Sequence, residues 1–326
     1  MNLRGISFGN VIGASGVEGF YGGDEYRYHV LKRLGLLSFA GMGFVAKTMT
    51  LEPNPGNMEM EGDGITVRRW FPDCVHVSPR SWWRGVALNK VGLTNLGANE
   101  LLARGLWQQR TKPFMLSFMS LGQTSAEKLE EMRRFVRLFK AYQSGFRAPV
   151  ALQINFSCPN VGVSHDAAFV DLVSRTLSVA AELRIPLLPK FDVTLSPGEA
   201  HAISLHPACD AIVMSNTLKF GSRGVDWKRE FGFLESPLEK IGKPGTGGGG
   251  ASGAILLPLV EDWIKRARDI GIEKPINGGG GILCPFDAER LIAAGAKSVF
   301  IGSMAFLRPW QVQPTIRRVN KLLGGQ

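Results

Sequence analysis

The segment Asn155-Phe156-Ser157-Cys158-Pro159-Asn160 follows the apolar run Val150-Ala151-Leu152-Gln153-Ile154, which delivers amides, a hydroxyl and a thiol to the point where a buried strand ends. A thiolate can accept a proton, and an amide side chain offers both a donor and an acceptor to a ligand held beside it. The pattern recurs along the chain. Lys47 follows Phe44-Val45-Ala46, Asn89 follows Val86-Ala87-Leu88, Lys190 follows Leu187-Leu188-Pro189, and Asn216 follows Val213-Met214-Ser215. Asparagines suit a ring whose edge alternates C=O and N–H, such as a pyrimidine dione. Lysines at strand ends supply fixed positive charge for a carboxylate or for an anion that develops during reaction. Taken singly, each of these is an ordinary loop residue, and a lone cysteine is an inert buried thiol. Their shared placement at five strand ends is the argument for chemistry.

Two glycine-rich segments come late, Gly247-Gly248-Gly249-Gly250-Ala251-Ser252-Gly253 and Gly278-Gly279-Gly280-Gly281, each ahead of a helical pattern. Unhindered backbone N–H groups at a helix start bind phosphate, and Gly302-Ser303, after Val299-Phe300-Ile301, adds donors at the next strand end. A flexible turn is the plainer account of a glycine run by itself.

These groups need a scaffold, and the rhythm of the chain supplies one. Short apolar runs alternate with helical patterns, giving candidate strands at Gly41–Ala46, Gly85–Leu88, Phe114–Phe118, Val150–Ile154, Ile185–Pro189, Ala211–Met214, Pro275–Asn277 and Ser298–Ile301. Helix signals lie between them. Thr124-Ser125-Ala126-Glu127 reads as a capping box before Leu129, Met132, Val136 and Phe139; Asp166 opens a helix with Phe169, Leu172, Val173 and Leu177 on one face; Pro258 sits early in a pattern through Val260, Ile264 and Ala267. Eight strands with intervening helices predict an α/β fold, a (β/α)₈ TIM barrel forming one domain over residues 1–326, in which every strand end opens onto the same face. Ahead of it, Ile6–Ile12 reads as a strand and Asp24–Leu34 as a helix, either closing the barrel floor or contributing its first unit. Residues 57–84, with Trp70, Phe71, Trp82 and Trp83, form a long excursion expected to fold over one mouth.

The 326 residues carry a net charge of +10, but the cations are scattered, so a solvated basic exterior explains most of them and no nucleic-acid partner is expected. Cys74, Cys158, Cys209 and Cys284 are far apart and form no CxxC pair, which argues against a disulfide framework, a zinc site or a cluster; no metal is expected. The N-terminus lacks the apolar core of a signal peptide, and the longest apolar stretch, around Leu34 to Ala46, is short and broken by glycine. The expectation is a cytoplasmic protein without stable membrane insertion.

Together the motifs resemble those of the dihydroorotate dehydrogenases, FMN-dependent (β/α)₈ barrels, and most closely the class 1 branch, which is soluble and uses a cysteine base. The resemblance rests on Ala14-Ser15-Gly16, the run Lys47 to Pro53, the run Asn89 to Asn95, the hexapeptide, Lys190, Asn216-Thr217 and the glycine segments, in the family's order over nearly the whole chain. It implies that Cys158 is the catalytic base, with Lys47 between flavin and substrate. It further implies that Lys47, Asn89, Asn155, Asn160, Asn216 and Thr217 contact orotate, while Gly92 and Leu93 offer backbone N–H groups to its carboxylate. Ala14, Ser15, Lys47, Asn155 and Lys190 would contact FMN, and Gly250, Gly280, Gly281, Gly302 and Ser303 its phosphate. Thr217 stands where serine is usual and keeps the hydroxyl, and the excursion at 57–84 is longer than the family leads one to expect. By the same resemblance Cys158 removes the C5 proton of dihydroorotate as a hydride leaves C6 for the flavin. The chain is expected to be a homodimer that passes electrons to fumarate or, through a partner subunit with its own flavin and iron–sulfur cluster, to NAD, with a quinone less expected.

Two other readings compete. Dihydrouridine synthases are also FMN barrels with a cysteine before proline, and act on tRNA; here Ser157 replaces their glycine, and the amide set suits a free pyrimidine. A flavin-binding barrel without turnover would have little use for Cys158 and both lysines.

Overall fold

The computed structural model describes residues 1–156, 167–222, 224–242 and 247–324. Seven parallel strands lie in the order Val11–Gly13, Ser298–Ile301, Ile276–Gly279, Ile212–Met214, Leu187–Phe191, Val150–Asn155 and Phe114–Phe118. Residues 43–49 complete the ring without forming a continuous strand: Gly43 bridges to Ile12 on one side, and Val45 and Met49 bridge to Met115 and Phe118 on the other, all parallel. The barrel thus has eight staves, but not the eight expected. Val11–Gly13 is the first of them, and the expected strand at Gly41–Ala46 is reduced to those bridges.

Alternation along the staves sorts their side chains. Val150, Leu152, Ile154, Leu187, Ile212 and Val299 face outward into the layer beneath the helices, where Leu129, Met132, Val136, Phe139, Phe169, Val260 and Ile264 meet them. Ala151, Leu188, Met115, Val213 and Phe300 face inward. The hairpin of Asn2–Leu3 with Ile6–Ser7 closes the floor, adding Met1, Leu3 and Phe8 to this interior cluster. Because the period is two, the inward side that begins apolar at the floor ends polar at the mouth. Asn155 lies two residues past Gln153, Lys190 two past Leu188, and Asn155 and Lys190 are register partners on adjacent strands.

The helices form where their signals lie. Ser125–Gln143 starts at a reciprocal capping box, Thr124 Oγ1 accepting the Glu127 N–H at 3.2 Å and Glu127 Oε2 the Thr124 N–H at 3.0 Å. Leu257–Asp269 carries Pro258 in its first turn, and Ala167–Ala180 buries Phe169, Leu172, Val173 and Leu177; Asp166, its expected opening residue, lies outside the described residues. The helix expected over Asp24–Leu34 shrinks to a 3₁₀ turn, Arg27–His29, and one turn of α-helix, Val30–Arg33.

Gly85–Leu88 departs most from expectation. It forms a strand, Val86–Asn89, but belongs to a separate antiparallel sheet with Val75–His76, Gly250–Gly253 and Leu218–Lys219. A short apolar run buried on both faces looks alike in a parallel barrel and in such a sheet, so periodicity does not separate them. The first glycine-rich segment is therefore mostly strand. Gly253 adopts φ +94° and ψ −159°, and a Cβ there would lie 2.0 Å from Gly85 O. Gly253→Ala is expected to lower stability by at least about 2 kcal/mol, seen as a lower urea midpoint. The excursion at 57–84 contributes Val75–His76 and the helix Pro79–Arg84. That helix is clasped to Trp227–Phe231 by Arg84, whose guanidinium spans Glu230 Oε2 and Oε1 at 2.9 and 2.8 Å.

Candidate active site

The barrel mouth and the antiparallel sheet enclose a cavity of about 910 Å³. That lies at the upper end of the roughly 300–1,000 Å³ typical of ligand pockets. Ala14, Ser15, Lys47, Asn155, Lys190, Asn216, Gly302 and Ser303 reach it from barrel staves or the turns after them, and Gly280 and Gly281 follow the Ile276–Gly279 stave. Asn89, Gly92, Leu93 and Thr217 also line it. Asn89 does so from the antiparallel sheet rather than from the end of a barrel strand. Gly250 lies inside that sheet, paired with Asn89 and Lys219, while its neighbours Gly249, Ser252 and Gly253 line the cavity. Cys158 and Asn160 lie outside the described residues.

Two lysines define the electrostatics. Burial pushes both Lys47 and Lys190 down to about 8. The Lys47 ammonium donates to Thr94 O and stands 4.8 Å from the centroid of the Phe20 ring. Lys190 stands 5.2 Å from that of Phe300, and among the described residues it makes no ion pair. A buried ammonium so placed is costly until an anion or a polarised carbonyl meets it.

The asparagines are mutually oriented. Asn216 Nδ2 donates to Asn155 Oδ1 at 3.1 Å, the Thr217 N–H donates to Asn216 Oδ1 at 2.9 Å, and Asn89 Nδ2 donates to Gly250 O at 3.3 Å. On the facing wall, Gly92 and Leu93 are successive residues with φ +67° and +58°. Their carbonyls accept from Asn54 Nδ2, at 2.7 and 3.1 Å, and both residues line the cavity.

Several contributors escape a reading based on strand ends. Asn54, Asn57 and Asn95 never touch the cavity wall as binders; they hold the 90–95 turn through Gly92 O, Leu93 O and Lys90 O. For Asn54 and Asn57 the signal was present in the pairing of amides with Pro53, Pro55 and Gly56. Thr48 links Ser15, at 2.8 Å, to the inward Ser117, at 2.9 Å. Strict alternation on the Phe114–Phe118 strand would have found Ser117.

The sequence model of the dihydroorotate dehydrogenases matches residues 1–323. The chain belongs to that family. It is 29% identical over 343 residues to the dihydroorotate dehydrogenase B (NAD(+)) catalytic subunit of Endomicrobium trichonymphae, covering 100% of this chain and 96% of that one. It is 28% identical over 325 residues to the protein of the same name from Listeria welshimeri, covering 95% and 88%. Among solved structures, the dihydroorotate dehydrogenase of Eimeria tenella in complex with ferulenol superposes with a TM-score of 0.66 at 16% identity, covering 99% of this chain and 84% of that one; this likeness speaks for the barrel fold. The protein is an FMN-dependent oxidoreductase that oxidises dihydroorotate to orotate in pyrimidine biosynthesis.

The cavity suits FMN on its own chemistry. Lys190, without an ion pair among the described residues, is of the right type and placement to meet the electron-rich edge of a flavin. Gly302 leaves a bare wall, since a Cβ there would come 3.0 Å from that of Ala14, and at Gly281 one would lie 2.5 Å from Leu257 N. Gly279 and Phe300 are register partners, so the turns carrying Gly280, Gly281, Gly302 and Ser303 are adjacent and can offer backbone N–H groups to one phosphate. Among the described residues no helix is long and apolar enough to cross a membrane, and no cluster of His, Cys, Asp and Glu is arranged to hold a metal ion.

Proposed function

We propose that dihydroorotate binds flat in this cavity and that Cys158 takes the proton from its C5. The observation that carries the reading is the convergence of Lys47, Lys190, Asn155 and Asn216 on one buried cavity. When bound, FMN supplies the acceptor for the hydride that leaves C6. The chain's own part is orientation and the destination of the proton. Asn89, Asn155 and Asn216, with Asn160 and Thr217, grip the C=O and N–H edge of the pyrimidine, and the N–H groups of Gly92 and Leu93 take its carboxylate. Lys47, a buried residue of the cavity lining, sits between substrate and flavin and balances their negative charge. Lys190, with Ala14 and Ser15, holds the flavin, and Gly280, Gly281, Gly302 and Ser303 hold its phosphate.

For the oxidising half, the names of the relatives, NAD(+) enzymes with a catalytic subunit, support a partner subunit and NAD as the acceptor; we propose that this partner carries its own flavin and iron–sulfur cluster. A homodimer of this chain in the cytoplasm completes the reading. The test is to purify the yellow protein, reduce it anaerobically with dihydroorotate, and offer fumarate, NAD or a quinone with and without the partner subunit. Bleaching of the flavin by dihydroorotate, followed by reoxidation by NAD only with the partner, is the expected result. Fumarate acting alone would overturn the partner, and no bleaching would overturn the substrate assignment.

A further inference from the structure

The loop Gly19–Glu25 packs behind Lys47. The Lys47 N–H donates to Gly19 O at 2.8 Å, and the Phe20 ring lies next to its ammonium. Glu25 clips that loop. Its Oε2 accepts the Phe20 N–H at 2.5 Å and its Oε1 the Tyr21 N–H at 2.7 Å, and the residue is only 5% exposed. The fit leaves no slack: Gly19 has φ +80°, and a Cβ there would lie 2.2 Å from Glu25 Oε2. Glu25 O in turn accepts the Val67 N–H at 2.8 Å, tying the clip to the excursion over the mouth.

We infer that Glu25 is a positioning residue for Lys47: by clipping the Phe20–Tyr21 turn it fixes the platform on which the ammonium rests and sets a carboxylate behind it. The inference rests on Lys47 being the active-site cation proposed above. Burial opposes charge on Lys47, and the two groups that favour it are Glu25 and Cys74. Burial pushes the Cys74 thiol up to about 11, so it is neutral and leaves Glu25 as the supporting charge. Glu25 itself is held above the usual carboxylate range, because burial outweighs the opposing pull of the N–H groups of Phe20, Tyr21 and Gly23 and of Lys47. The other groups facing it are the half-buried phenols of Tyr21, Tyr26 and Tyr28, all pushed up by desolvation, and Glu18, pushed up to about 7 by burial against the pull of Arg110 and Lys32.

The test follows labelling of Lys47 by an amine reagent, read by mass spectrometry from about pH 6 to about pH 10, in wild type, Glu25→Gln and Glu25→Asp. Removing a supporting negative charge favours the neutral amine, so the midpoint in Glu25→Gln should fall by about one pH unit or more, a tenfold change in the proton equilibrium, and by a smaller, measurable amount in Glu25→Asp, whose carboxylate is set back by one methylene. Flavin reduction by dihydroorotate near neutral pH should fall about tenfold in the same variant. A clip with a purely structural role would lower the melting temperature and leave the Lys47 midpoint in place; that result overturns the inference, as does an unchanged midpoint in Glu25→Asp should Glu25→Gln fail to fold. Failure of dihydroorotate to bleach the wild-type flavin would strike the substrate assignment instead, because the midpoint is read without substrate.

Discussion

Replacing Cys158 with alanine is expected to slow reduction of bound FMN by dihydroorotate by about 10²–10⁴-fold while leaving FMN content unchanged, the range over which a positioned general base contributes. The thiol is the residue of choice because its ordinary pKa of about 8.5 places a useful fraction of thiolate near neutrality. The wild-type rate should therefore rise with pH as thiolate forms. Cys158→Ser should leave a slow enzyme, since a hydroxyl at the same place is a far weaker base. The other cysteines provide the control. Burial pushes Cys74 up to about 11 and Cys209 up to about 12, so neither is a thiolate at working pH. Conservative substitution at Cys209, remote from the cavity lining, should leave the rate unaltered. Wild-type turnover in Cys158→Ala, measured by stopped-flow bleaching of the flavin, would remove the assignment of the base.

Parity explains why much of this site could be read from the chain alone. Once Ala151 and Leu188 are inward, Asn155 and Lys190 must be inward too, and a residue just past a stave of a parallel barrel opens on the cavity side. Lys47, Asn155, Lys190, Asn216, Gly302 and Ser303 were legible for that reason. Asn89 reached the cavity by a different route, since its strand is antiparallel and stands above the barrel; three apolar residues carry no record of which sheet they join. Gly250 has a packing reason to be glycine as well. A glycine run suggests a phosphate turn, but here close approach of Gly253 to Gly85 O and of Gly250 to Thr217 demands it, because a Cβ at Gly250 would lie 2.2 Å from Thr217 Oγ1. Glu25 was invisible because its partners are backbone N–H groups, which leave no side-chain signature in the sequence.

Lys190→Met should separate folding from function in opposite directions. The substitution keeps the length of the stem beside Phe300 and removes a charge that burial penalises. In the folded apo chain the ammonium titrates at about 8, against about 10.4 for an exposed lysine in the unfolded chain. Below about pH 8 both states are protonated and the folded state bears the whole desolvation cost. Between the two values the folded chain has released a proton that the unfolded chain keeps, so stability rises with pH across that window. Methionine carries no such cost. Apo Lys190→Met is therefore expected to be more stable than apo wild type near neutral pH, by an amount on the order of a few kcal/mol, with the advantage shrinking as the pH approaches 10. With FMN bound the order should invert, because the flavin edge that offsets the cost in wild type finds no cation in the variant. FMN affinity and the rate of flavin reduction should each fall by about 10²-fold or more, while paired melting curves of apo and FMN-loaded protein record the crossing. If methionine weakened the apo chain at neutral pH as much as it weakened FMN binding, Lys190 would be a packing residue of the barrel and not the cation held in reserve for the flavin.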